Sequence, residues 1–185
     1  LAREGVRYSH VYSTAGVCAP SRSVLITGMY QTTIGTHNMR TLQNLSREVP
    51  YYSAVLPPYV KTHSEYMRAA GYYCTNNEKT DYQFENPISA WDDCSRTAHW
   101  RNGPKDKPFF SIFNFTITHE SQIWLRKDEP MLADPARIKV PPIYPDTKIV
   151  RKDMARNYTN IMRMDEMVGK LLKELEEDGL LDKTI

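Results

Sequence analysis

The sequence predicts an α/β fold in which helices pack on a sheet. Segments with helical spacing alternate along the chain with short apolar runs. The strongest run, Pro108-Phe-Phe-Ser-Ile-Phe-Asn-Phe-Thr116, barely alternates, as in a strand covered on both faces. Near the C-terminus, Ala155, Tyr158, Ile161, Met162, Asp165, Val168, Leu172 and Leu175 recur at three- and four-residue steps, the spacing of an amphipathic helix over Lys152 to Glu177.

The elements follow in order. Leu1-Ala-Arg-Glu4 reads as a helix end stopped by Gly5, and Val6 to Tyr12 alternates like a strand. After the small residues Ser13 to Gly16, Pro20 falls where a helix's first turn tolerates it, so Ser21 to Met29 reads as a short, largely buried helix. Residues 30–60, rich in Thr, Asn, Tyr and Pro, read as a long irregular segment of the kind that usually carries function. Thr62 to Ala70 is a helix ended by Gly71, Tyr72 to Thr75 a strand, and Asn76 to Asp81 the loop after it. Residues 82–107 are irregular, and the five prolines of 126–147 make a loop. Asp178-Gly179 ends the long helix, and Leu181 to Ile185 reads as the start of a strand.

Composition narrows the function classes. With 41% hydrophobic and 25% charged residues the chain is neither collagenous, disordered nor low-complexity. Twenty-four Lys+Arg against 22 Asp+Glu leave +2 without a basic stripe, so charge does not recruit nucleic acid. The apolar runs are too short for a membrane span. Twelve Tyr against 5 Phe suit partly wet clefts for polar ligands. The chain starts at Leu1 with no signal segment ahead of it and reads as an internal piece of a longer protein, so an export signal elsewhere is compatible with it. Cys18, Cys74 and Cys94 are an odd set: Cys74 and Cys94 pair in an oxidising compartment, or all three stay reduced. No CxxC or HExxH spacing suggests zinc.

Ligand sites in α/β sheets lie off the carboxyl ends of the strands. The segments after Tyr12, Thr75 and Thr116 carry Cys18, Lys79 and His119. Cys18 is placed at a helix N-terminus, whose free N–H groups hold anions. Arg22, one turn on, offers a planar fork for an oxyanion. A Cys-x5-Arg phosphatase loop is excluded, because Arg22 is four residues after Cys18. His37 and Arg40, in Gly35-Thr-His-Asn-Met-Arg40, read either as contacts to a sugar or second anionic group or as a polar loop. His99-Trp100-Arg101 reads as a platform for a carbohydrate or as surface cover. His10 and His63 read as structural and solvated. Asn44, Asn114 and Asn157 head glycosylation triplets, of which Asn114 falls in the buried strand.

Cys18-Ala-Pro-Ser-Arg22, followed by Leu25-Ile-Thr-Gly28, resembles the signature of type I sulfatases, Cys-x-Pro-Ser-Arg with a Thr-Gly pair a few residues on. The resemblance extends through Leu1 to Arg7, Tyr12 to Thr14 and the helix and tail from Tyr158 to Ile185, and is patchy between 41 and 107. Thr36 to Thr41 and Thr118 to Ser121 look most like the heparan N-sulfatase-like members. It implies an alkaline-phosphatase-like fold with a central, mostly parallel sheet flanked by helices, residues 1–185 being an incomplete N-terminal part of one catalytic domain.

The resemblance also implies the chemistry. Cys18 is expected to be oxidised by a formylglycine-generating maturation enzyme to an aldehyde whose hydrate attacks sulfur and then expels sulfate, which splits one hard displacement into two steps. Lys79 matches the lysine of the family's Gly-Lys-x-His pattern and is expected to bind a sulfate oxygen and the nucleophile; Glu78 stands in place of the glycine and Asp81 in place of the histidine, where it either accepts the hydroxyl proton at the substrate site or leaves that role absent. His119 matches the family's His-x-Pro histidine, with Ser121 in place of the proline, and is expected to protonate the leaving group. Calcium is expected, reached from this chain only by formylglycine at position 18, with its carboxylate and amide ligands before residue 1 and after residue 185. The substrate implied is a sulfated carbohydrate such as a glycosaminoglycan, as an O-sulfate or sulfamate, and the location periplasmic, secreted or lysosomal. Two other readings keep the same residues: a phosphonate or phosphate monoester hydrolase, and an inactive protein that binds sulfated glycans.

Overall fold

A computed structural model describes residue 3, residues 5–41 and residues 52–185. The chain divides into two compact units, Leu1–Asn114 and Phe115–Ile185.

The first unit is built on a three-stranded parallel sheet. Its strands are β1 (Tyr73–Asn77), β2 (Asp93–Cys94) and β3 (Phe109–Phe113), in the order β2-β1-β3. β1 is central, and Cys74, Thr75 and Asn76 are buried in it. β3 is only half-buried along its length, so the double cover expected from its apolar run is not met among the described residues. The core joins Ile26, Cys74, Tyr82, Phe84, Ala90 and Trp91, with Phe110 and Ile112 packed against it. Burial pushes the Cys74 thiol up to about 11, with the nearby Asp92 charge adding to the rise. All three cysteines are free thiols. Trp100, expected to offer a sugar platform, is 8% exposed and stacks between Phe109, Phe113 and His99, because its indole finds the β3 aromatics before solvent.

Helix α1 (Cys18–Thr27) begins at Val17 without a side-chain cap. It ends at Gly28, whose left-handed φ of 68° lets its N–H reach the Val24 carbonyl at 2.8 Å. Its buried stripe is narrow, Ala19, Ser23 and Ile26, and Leu25 is 72% exposed, so the helix is less buried than its apolar run suggests. Helix α2 (His63–Ala69) starts with a capping box: the Thr62 side chain accepts from Glu65 N–H, and Glu65 Oε2 accepts from Thr62 N–H at 2.8 Å. The strand expected over Val6 to Tyr12 does not form. Val6, Tyr8, Val11 and Tyr12 are exposed, because no described strand pairs with them. The helix end expected at Leu1 to Glu4 and Asn44 lie largely outside the described residues.

The second unit is dominated by α4 (Lys148–Glu177), about 45 Å long at 1.5 Å per residue. Thr147 caps its start by accepting from Val150 N–H. At its end Gly179 N–H donates to Glu176 and Leu180 N–H to Leu175, a Schellman closure around a left-handed Gly179. The expected apolar stripe is only partly inward: Ala155 and Leu175 are buried, while Tyr158, Ile161 and Met162 are exposed. The buried turn is polar instead. Arg156 donates to the carbonyls of Lys127, Glu129 and Pro130, and Thr159 Oγ1 accepts from Leu132 and Ala133 N–H. These bonds satisfy the backbone of a proline-broken loop that cannot pair with itself. Helix α3 (Gln122–Leu125) is a single turn, and residues 181–183 form a 3-10 turn where a strand start was expected.

Candidate active site

The sequence brings a cysteine, two cations and a carboxylate together at the start of α1. Cys18 is the first residue of that helix and is half-buried. Arg40 Nη2 donates to Cys18 Sγ at 3.1 Å. The same guanidinium grips Asp81, Nε to Oδ1 at 3.2 Å and Nη2 to Oδ2 at 3.0 Å, a two-pronged pair that suits the planar fork of arginine. Lys79 Nζ lies 3.4 Å from the same Asp81 Oδ2. The Cys18 thiol also hydrogen-bonds the Asp81 carboxylate, and Met39 Sδ is 3.9 Å from Cys18 Sγ. Burial alone raises the Asp81 carboxyl. The Arg40 and Cys18 hydrogen bonds and the Arg40 and Lys79 charges outweigh it and hold the group below the usual aspartate range.

A cleft of about 520 Å³ is lined by the Arg40, Lys79 and Asp81 part of this cluster and the chain that follows to Phe84. Three non-glycine residues around it take left-handed backbone: Arg40 (φ 48°), Asp81 (φ 51°) and Gln83 (φ 63°). Such residues persist only where their surroundings hold them, and they gather at ligand sites. Here side chains do the holding: Arg40 binds Asp81, and Thr41 N–H donates to Gln83 Oε1 at 3.2 Å while Gln83 Nε2 donates back to Thr41 Oγ1.

Arg22, expected to offer an oxyanion fork, turns its side chain to the loop after β1. Its Nε donates to the Thr80 carbonyl at 2.7 Å, and its Nη2 donates to the Lys79 carbonyl and, at 2.8 Å, to Asn114 Oδ1. The guanidinium also lies 5.8 Å from the centre of the Tyr82 ring. That edge of the fork holds the Lys79 loop against α1. Asn114 and Asn76 complete the clamp. Asn114 Nδ2 donates to Asn76 Oδ1 and the Asn77 carbonyl, both at 2.9 Å, and the buried Asn76 Nδ2 donates to the Lys79 carbonyl at 3.3 Å. Neither asparagine was singled out for the site from sequence. The available signal is a polar residue closing an apolar strand at its carboxyl end.

The structure thus gathers Cys18, Arg22, Arg40, Lys79 and Asp81, while His37 is exposed three residues before Arg40. His119 belongs to the second unit. It follows a 3-10 turn of residues 116–118, and its Nδ1 lies 2.9 Å from Ser121 Oγ and 3.3 Å from the Ser121 backbone nitrogen. Among the described residues no three His, Cys, Asp or Glu side chains group to hold a metal ion. The carboxylate beside Cys18 is already shared by two cations, so the residues present do not make a calcium site by themselves.

The sequence profile of the sulfatase family matches residues 1–185. The chain is a member of the sulfatase family. Its α/β arrangement is the alkaline-phosphatase-like fold expected from the Cys18 to Arg22 motif. The chain is 44% identical to an ulvan-active sulfatase of Formosa agariphila, over all of its own length and 37% of the relative's. It is 24% identical to an arylsulfatase of Hemicentrotus pulcherrimus, over all of its length and 40% of the relative's. A shorter match, 41% identical, covers 30% of the chain and 11% of the human N-sulphoglucosamine sulphohydrolase. The sulfatase chain therefore spans about two fifths of the length of the two relatives that match it throughout. No described helix is long and apolar enough to cross a membrane.

Proposed function

We propose that the protein carrying this chain is an exported hydrolase that removes sulfate from a carbohydrate, with position 18 as nucleophile and residues 1–185 as part of one catalytic domain. The observation that carries the proposal is the convergence of Arg40 and Lys79, through Asp81, on Cys18 at the N-terminus of α1. Two cations beside a helix N-terminus suit a sulfate group. The names of two relatives carry ulvan and N-sulphoglucosamine, which favours a sugar over a small aryl sulfate as the natural substrate.

Position 18 suits formylglycine: the side chain is half-buried, with a cationic donor on one side and a carboxylate acceptor on the other. Formylglycine supplies a hydrated aldehyde, so that sulfate leaves without water attacking sulfur. Asp81 accepts a hydrogen bond from the group at position 18 and keeps it aimed. Lys79 and Arg40 hold the sulfate oxygens, and Arg22 keeps the Lys79 loop in place through the two carbonyls it grips. His119 is retained as the proton donor to the departing oxygen on the strength of the resemblance alone. Calcium enters on the same ground, with its ligands expected outside residues 1–185, as does a formylglycine-generating maturation enzyme.

Release of inorganic sulfate from sulfated sugars by the intact protein, alongside the mass of the Cys18 peptide from the native source, tests the proposal. An aldehyde at position 18 together with sulfate release is expected. A thiol there in protein that turns over normally contradicts it.

A further inference from the structure

We propose that Asp81 sets the charge of the anion site at position 18 and so selects a singly charged sulfate ester over a doubly charged phosphate monoester. The proposal rests on the hydrolase reading of the same site and names what that reading leaves open, the class of anion admitted.

Arg40 and Lys79 both end on one atom, Asp81 Oδ2, at 3.0 and 3.4 Å. Asp81 therefore subtracts one unit from the positive charge that these two cations present to the cleft. A sulfate monoester carries one negative charge. A phosphate monoester carries two above its second pKa of about 6. The second brings one charge more than the first beside a carboxylate that is 15% exposed and held ionised by its partners. Like charges at such range repel strongly where water is partly excluded.

The carboxylate is fixed before any ligand arrives. Arg40 and Asp81 sit in left-handed backbone on two separate loops, and the Thr41–Gln83 bonds lock those loops one step further on. Asp81 therefore does not swing aside cheaply to admit a dianion. Nor is it idle packing: it touches Arg40, Lys79 and Cys18, every group that would meet the ligand.

The test compares kcat/KM for an aryl sulfate and an aryl phosphate with the same leaving group, at pH 8, in the intact enzyme. Asp81→Asn raises the cluster by one charge and is expected to move the ratio toward phosphate by roughly tenfold or more. Arg40→Gln lowers it by one charge and is expected to move the ratio toward sulfate. Opposite shifts from two halves of one ion pair are not produced by a merely structural role, which lowers both activities together. Where a variant is too slow to assay, the ratio of affinities for an aryl phosphonate, a dianion at pH 8, and an aryl sulfonate, a monoanion, is read instead and shifts the same way. If Asp81→Asn does not fold, the Arg40→Gln shift decides. An active enzyme whose ratio is unchanged, or moves the same way in both variants, overturns charge selection. An intact enzyme that releases sulfate from no ester overturns the hydrolase reading, and the sulfonate and phosphonate affinities then still decide the role of Asp81.

Discussion

Arg22 Nε donates to the Thr80 carbonyl at 2.7 Å, tying α1 to a loop 58 residues further along the chain. With the Lys79 carbonyl and Asn114 Oδ1 on Nη2, the guanidinium stands between three elements: α1, the loop after β1 and the end of β3. The position of Lys79 is therefore set by a residue four places after Cys18 in the same motif.

Arg22→Ala is expected to destabilise the protein by roughly 1.5–3 kcal/mol, the range for a hydrogen bond to a charged group, because the carbonyls it leaves are partly buried. Arg22→Lys restores only part of this, since an ammonium cannot span both carbonyls in the plane of the fork. Urea midpoints at constant slope measure it. A midpoint unchanged in Arg22→Ala would return the guanidinium to the role of substrate ligand.

The motif, the central strand, the loop bearing Lys79 and the long helix were legible in the sequence, because each is written in contiguous residues. What was not legible depends on partners. Arg22 reads as an anion fork, but its targets are backbone carbonyls, which leave no mark on sequence. Arg40 and Asp81 lie 41 residues apart, and only the folded loops bring them to one ion pair. Val6 to Tyr12 alternates like a strand yet meets none among the described residues, and alternation without a neighbour makes no ladder. In α4 the apolar stripe lost its place to Arg156 and Thr159, whose bonds to loop backbone outweigh the burial of Tyr158 and Met162.

Glu65 gives a pH dependence outside the site. Burial raises its carboxyl, but hydrogen bonds from Ser89 and Thr62 and the Lys61 charge together hold it below the ordinary glutamate value. A depressed folded pKa means stability present above the unfolded value and lost as pH falls through the folded one. Glu65→Gln should therefore be less stable than wild type at pH 7, with the gap closing on the acid side of pH 4. Urea midpoints from pH 3 to 7 check it, and a gap that stays constant with pH would contradict the capping-box account.

His119→Ala should cost most where the leaving oxygen is basic and least for an activated aryl sulfate, because a good leaving group needs little protonation. Ser121 Oγ, 2.9 Å from Nδ1, orients the ring, so Ser121→Ala should give a weaker form of the same trend. The measurement is kcat/KM in the intact enzyme across aryl sulfates of increasing leaving-group pKa. A deficit constant along the series would show His119 to bind sulfate and not to donate a proton.

The central claim is that position 18 makes the bond to sulfur. The rate of sulfate release by Cys18→Ala in the intact protein, with contaminating hydrolase excluded, tests it most directly. A methyl group forms no hydrate, so turnover should vanish while the unfolding midpoint stays close to wild type, since the side chain is only half-buried at the first turn of α1. Wild-type rates from a folded Cys18→Ala protein would contradict the account.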